Sequence, residues 1–125
     1  MLRECQRVLR AGGRLAVLVI EATSGLGEEQ AGIAAELGPA AVHADAPLEE
    51  LVRSAGFHVR HIEDVTDDFE ATTASIWDGR RAAKSDLREA EGFEAYATET
   101  GKKARLLEGI RRGLLRRTLV VAEKP

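Results

Sequence analysis

At 125 residues the chain is long enough for one domain with a core of its own. Its composition, 44% hydrophobic, 31% charged and only 4% aromatic, excludes a disordered or aromatic-rich protein and leaves the core to Leu, Val, Ile and Ala. A net charge of −3 gives no field for nucleic acid or anionic lipid, and the single Cys5 excludes an intrachain disulfide and any multi-cysteine metal site. The longest apolar run, Leu15 to Ile20, is too short to span a bilayer, and a charged helix stands where a signal peptide would be apolar. With a lone cysteine, the expectation is a soluble protein of the reducing cytoplasm.

Leu2, Cys5, Val8 and Leu9 recur at helical spacing, and Arg3, Arg7 and Arg10 lie off that stripe, which predicts an amphipathic helix. Gly12 and Gly13 are expected to end it. Leu15 to Ile20 shows no polar alternation, so it reads as a strand covered on both faces in a mostly parallel sheet. A helix is expected over Glu28 to Leu37, with acids at its start where the helix dipole favours them. Pro47 opens another, with Leu48, Leu51, Val52 and Ala55 on one face; Gly56 stops it and Phe57 stands at the apolar contact of a Schellman cap. Residues 58 to 65, HVRHIEDV, alternate as a strand. Thr66 is expected to cap a helix carrying Phe69, Thr73, Ile76 and Trp77. A second helix follows Gly92 with Phe93, Tyr96, Leu107 and Ile110, with Gly101 as its weak point, and Thr118 to Ala122 closes the chain as a strand. Strands interleaved with helices imply an α/β layer structure, although the pattern alone leaves the direction of the last strand open.

Three stretches together carry a resemblance: RVLRAGGRLAVLVIE, LEELVRSAGFHVRHIEDVT and GLLRRTLVVAEKP. Their order and spacing resemble the carboxyl-terminal half of a class I S-adenosylmethionine-dependent methyltransferase. In that family a helix ending R-V-L-[RK]-P-G-G leads into the fifth strand of a seven-stranded Rossmann-like sheet. A helix ending A-G-F leads into the sixth, and a final antiparallel strand inserts between the two. Ala11 departs from the family's usual proline, which costs loop rigidity and no chemistry. The resemblance implies a partial domain over 1–125: helix, strand, helix and strand in 1–66, a helical insertion in 67–113, and the final antiparallel strand in 114–125. It also implies methyl transfer from S-adenosylmethionine to a small molecule. The family's glycine-rich loop and the ribose-binding acid lie upstream of anything here, so no cofactor-binding residue can be assigned, and Met1 is read as an internal methionine or a late start.

Glu21 ends the first strand, at the edge where open α/β sheets bind ligands, and could orient an amine or accept a proton. A solvated strand-end acid is the plainer reading. Phe69, Ile76, Trp77, Phe93 and Tyr96 gather in the helical insertion, either as a lid lining a small apolar substrate or as ordinary packing. In SGLGEEQAG the third glycine of a phosphate loop is replaced by Gln30, which favours a plain loop. His58 and His61 have metal-like spacing, but on a regular strand residues three apart face opposite ways; His43 with Asp45 supplies only two ligands, and no metal is expected. Arg111, Arg112, Arg116 and Arg117 read as a solvated helix end, Lys102, Lys103 and Arg105 as an exposed helix face, and Cys5 as a small core residue. No residue announces itself as catalytic. The competing expectation is a non-catalytic interaction module, self-associating or pairing with a partner through the edge of strand Arg14 to Ile20.

Overall fold

The computed structural model describes residues 1–39 and 46–125. Helix α1 (Leu2–Val8) leads to strand β1 (Arg14–Ala22), and α2 (Glu28–Leu37) and α3 (Leu48–Ser54) lead to β2 (His58–Asp64). Three helices, α4 (Thr66–Ala82), α5 (Lys84–Glu91) and α6 (Phe93–Arg111), precede the last strand, β3 (Leu115–Glu123). The sheet runs β1-β3-β2, with β3 antiparallel to both neighbours. β1 and β2 are therefore parallel to each other with β3 between them, the insertion that the resemblance implies. The apolar run of β1 taken alone suggests a mostly parallel sheet, whereas every strand pair among the described residues is antiparallel.

Alternation along β1 splits the core in two. Leu15, Val17 and Val19 join Val52, Phe57, Val120 and Ala122 beneath α1 and α3. Ile20 and Ala22 point the other way, into a second cluster with Ala34, Phe69, Ile110, Leu114 and Leu115 beneath α2, α4 and α6. Ala16 and Leu18 share that second face but lie beyond the helices, and Leu18 is 48% exposed. The strand is thus not covered on both faces along its whole length among the described residues.

Glycine decides two junctions. Gly56 adopts φ +93° and Phe57 donates its N–H to Val52 O at 3.4 Å, closing the Schellman cap that the sequence promised and burying Phe57 against Val52. Gly12, at φ +78°, turns the chain so that its N–H reaches Lys124 O, while Lys124 donates its own to Gly13 O. The α1 helix stops earlier than its stripe suggested, at Val8, and Leu9 goes extended. Leu9 then packs on the core while Val8 is left 67% exposed. The Lys124 ammonium donates to Gln6 O and Leu9 O at 2.6 and 2.8 Å, neutralising the carbonyl end of α1.

Two local expectations fail for identifiable reasons. A bulge between Val59 and His61 makes Arg60 an extra residue in β2, so His58 opposes Glu123 and His61 opposes Val121. Both histidines consequently face one side of the sheet, against the alternation argument; even so, no three His, Cys, Asp or Glu side chains come together as a metal cage among the described residues. Thr66 is inside α4 rather than capping it. Its N–H and hydroxyl both donate to the Asp64 carboxylate two residues earlier, while Val65 stands at the N-cap position with no side-chain cap. Gly101 does not interrupt α6, and α5 is an additional helix between the two expected in the insertion.

Gly109 and Gly79 provide a paired test of packing against helix propensity. A Cβ on Gly109 would lie 2.5 Å from Cδ1 and 3.0 Å from Cγ of Leu115, itself among the most buried side chains, whereas a Cβ on Gly79 meets nothing within 4 Å. Gly79→Ala should stabilise the fold by about 0.5–1 kcal/mol. Gly109→Ala should destabilise it by about 1–3 kcal/mol through overpacking. Urea denaturation of the two variants reads both signs, and stabilisation by both would contradict the described seam between α6 and β3.

Candidate functional site

The carboxyl end of β1 holds a buried polar network. Register sets it: Glu21 opposes Arg116 on β3, and Thr118, two residues on, opposes Asp64 on β2, so all four side chains share the α3 face. Glu21 is only 6% exposed. Its Oε1 accepts the backbone N–H of Leu48 at 2.8 Å, at the start of α3, and its Oε2 accepts the Thr118 hydroxyl at 2.8 Å. Arg116 Nε lies 3.4 Å from the same Oε2, near enough to pair charges but not aligned as a hydrogen bond. A carboxylate taken out of water costs several kcal/mol if left bare, and the two hydrogen bonds together with the nearby Arg116 charge offset that cost. The plainer reading of Glu21 as a solvated strand-end acid is therefore overturned. With both oxygens engaged it acts as a strut joining β1, β3 and the entry to α3.

Asp64 continues the network. The Thr66 side chain and then its backbone N–H hold its carboxyl below the usual carboxylate range, against a smaller desolvation effect, and Arg116 adds to the lowering. The Thr66 hydroxyl in turn accepts the N–H of Arg117 at 3.1 Å, tying the start of α4 to β3.

Arg116 and Arg117 are not part of a solvated helix end. They stand on β3 as half-buried residues, and the Arg117 guanidinium lies 5.0 Å from the Phe69 ring centroid, a cation–π contact on the face opposite Glu21. Arg111 and Arg112 do end α6 in solvent, paired with Glu70 and Glu108.

The five insertion residues singled out in the sequence are dispersed. Phe69 is core beneath the sheet. Tyr96 is buried and donates its hydroxyl to Arg80 O at 3.3 Å; Arg80 also bonds Thr100 and Glu91, so one arginine links α4, α5 and α6. Trp77 stacks under Arg81 at 4.5 Å, and Phe93, 64% exposed, under Arg88 at 4.1 Å. Ile76 is 42% exposed. The structure brings none of them to Glu21.

The loop after β1 carries Gly25 and Gly27, and a Cβ on either meets no protein atom within 4 Å, with Gly25 at φ +80°. His43 and Asp45 lie outside the described residues.

No family model matches the sequence, and no curated protein matches it. Solved structures do. A protein assigned as a sarcosine dimethylglycine methyltransferase from Galdieria sulphuraria superposes with TM-score 0.82 at 17% identity, over 98% of this chain and 46% of its own. Phosphoethanolamine N-methyltransferase 2 of Haemonchus contortus, in complex with S-adenosylhomocysteine, gives 0.78 at 16% over 99% and 29%. The [4+2]-cyclase SpnF gives 0.66 at 21% over 99% and 43%. The fold is the carboxyl-terminal part of the class I S-adenosylmethionine-dependent methyltransferase fold, and the chain spans less than two thirds of the length of each of these neighbours.

Two outcomes follow from the network. Glu21→Ala leaves the Leu48 N–H and the Thr118 hydroxyl without their acceptor and should cost about 2–4 kcal/mol, with Glu21→Gln losing roughly half as much; equilibrium unfolding that finds Glu21→Ala within about 0.5 kcal/mol of the parent would remove the strut. Asp64 is more acidic folded than unfolded, so its contribution is fully present above the unfolded value and is lost as pH falls through the folded one. Asp64→Asn should therefore flatten the loss of stability below about pH 4, measured by urea titration between about pH 2.5 and 6.

Proposed function

We propose that this chain is the carboxyl-terminal half of an S-adenosylmethionine-dependent methyltransferase acting on a small molecule in the cytoplasm. The observation that carries the reading is topological: β3 inserts antiparallel between two parallel strands, in an arrangement that superposes on methyltransferases along nearly the whole chain. On this reading the cofactor is bound by an amino-terminal half that pairs along the free edge of β1. The residues described here build the far side of the sheet, and α4 to α6 help to enclose the substrate. Methyl transfer needs alignment and exclusion of water more than a dedicated acid or base, which accords with a strut at Glu21 rather than a free general base. Fold alone does not fix the reaction, and a cyclase among the structural neighbours illustrates it.

A second reading rests on β1 itself. Among the described residues it ends the sheet in the order β1-β3-β2, with Ala16 and Leu18 exposed on one face, and so offers an unpaired apolar edge. A non-catalytic module that pairs with itself or a partner through Arg14 to Ile20 uses the same surface.

Isothermal titration with S-adenosylmethionine separates the two. The chain alone is expected to show no binding, and the chain preceded by the sequence encoded upstream in frame is expected to bind. Failure of the longer protein to bind, or the absence of any continuing frame, would overturn the methyltransferase reading. A discrete dimer of the chain alone on size-exclusion chromatography would then favour the module.

A further inference from the structure

A cleft of about 450 Å³ opens between the end of α2 and the middle of α6, on the face of the sheet opposite the Glu21 network. Its floor is apolar: Ile20 from β1, Leu37 from α2 and Leu106 from α6. Lys102, Lys103 and Arg105 from α6 and Glu36 from α2 provide its charges, three cations against one carboxylate in a chain whose net charge is −3. Lys102 is paired with Glu99 at 3.2 Å, but among the described residues Lys103 and Arg105 are in no ion pair. Spacing explains the arrangement: on one helix Lys102, Arg105 and Leu106 are three and four residues apart, so they share a face that turns an apolar side chain and cations toward the same space. In sequence these cations read as an exposed helix face; the structure sets them along a concavity, with Lys103 half-buried.

We infer that this cleft binds a small amphipathic anion, an apolar body ending in one carboxylate or phosphate. The volume falls in the range of small-molecule sites and suits a body of several carbons rather than a polypeptide. The apolar floor takes the body, and Arg105, on the helix face it shares with Leu106, takes the head group bidentately, while Lys103, two residues away on the helix, adds positive charge from the other flank of the cleft. Glu36 at the same rim repels a second negative charge on the body and limits the ligand to one anionic end. The site stands on the cleft alone and needs neither cofactor nor methyl transfer.

Octanoate, octyl phosphate, octanol and octyltrimethylammonium, titrated into the 15N,13C-labelled protein, test it by NMR. Octanoate or octyl phosphate should shift the methyl resonances of Ile20, Leu37 and Leu106, whichever of the two binds more tightly identifying the head group. Octanol should bind about tenfold more weakly, and the cation should not bind. The double variant Lys103→Gln, Arg105→Gln should weaken the anion by roughly three- to tenfold and leave octanol unchanged, with an unaltered amide spectrum elsewhere reporting an intact fold. Equal binding of all four probes, no shift at the three methyl groups, or full anion affinity in the double variant would each overturn the assignment.

Discussion

Strand β3 is hydrogen-bonded along both edges, and the rest of the structure depends on that. Nine residue pairs run from Arg14↔Glu123 to Ala22↔Leu115 on one side, and on the other β3 carries β2 from His58↔Glu123 to Asp64↔Thr118. Because side-chain direction has a period of two, this register decides which apolar residues face which helices. A slip of one residue would turn Val120 and Ala122 out of the α1–α3 core and Arg117 and Leu119 into it. The same register puts Arg116 and Thr118 beside Glu21, so the polar network at the sheet edge depends on the last strand as much as the core does.

Much of this order was legible because it is written locally. The sequence AGF carries a helix stop and its apolar plug in three consecutive residues, and Gly56 and Phe57 play those parts. Residues 28–37 and the approximate positions of all three strands were likewise available from spacing and turn residues. What was not legible depends on partners distant in sequence. Lys124 reads as one more charge at a terminus until it is seen capping α1 from over a hundred residues away. The Arg60 bulge leaves no glycine or proline signal and is set by how β2 meets β3. Leu18 looks like core in an unbroken apolar run, and only the reach of α2, α4 and α6 determines that it is not.

The candidate site shows the same division. Glu21 could be singled out because it ends a strand at the ligand-binding edge of such sheets. Its role could not, since its donors lie 27 and 97 residues away, at Leu48 and Thr118. The insertion aromatics pair separately for a related reason: Trp77 lies against Arg81, Phe93 against Arg88 and Phe69 against Arg117. Composition located them, but only tertiary structure could say that they do not converge. Of the α6 cations, Lys102 and Arg105 are exposed as their spacing suggested and Lys103 is half-buried; that all three line one cleft was not legible in the sequence.

If β3 is the element on which both cores and the polar edge rest, its backbone should be the last to open. Native-state hydrogen exchange tests this directly, since amides released only by global unfolding mark the most stable unit. The amides of Leu119 to Ala122 should exchange with the free energy of global unfolding, while the outward-facing amides of β1 and those of α5 exchange through smaller, local openings. Exchange of Leu119 to Ala122 as fast as the outer edge of β1 would contradict the account, because the final strand would then be an attachment to the sheet rather than its centre.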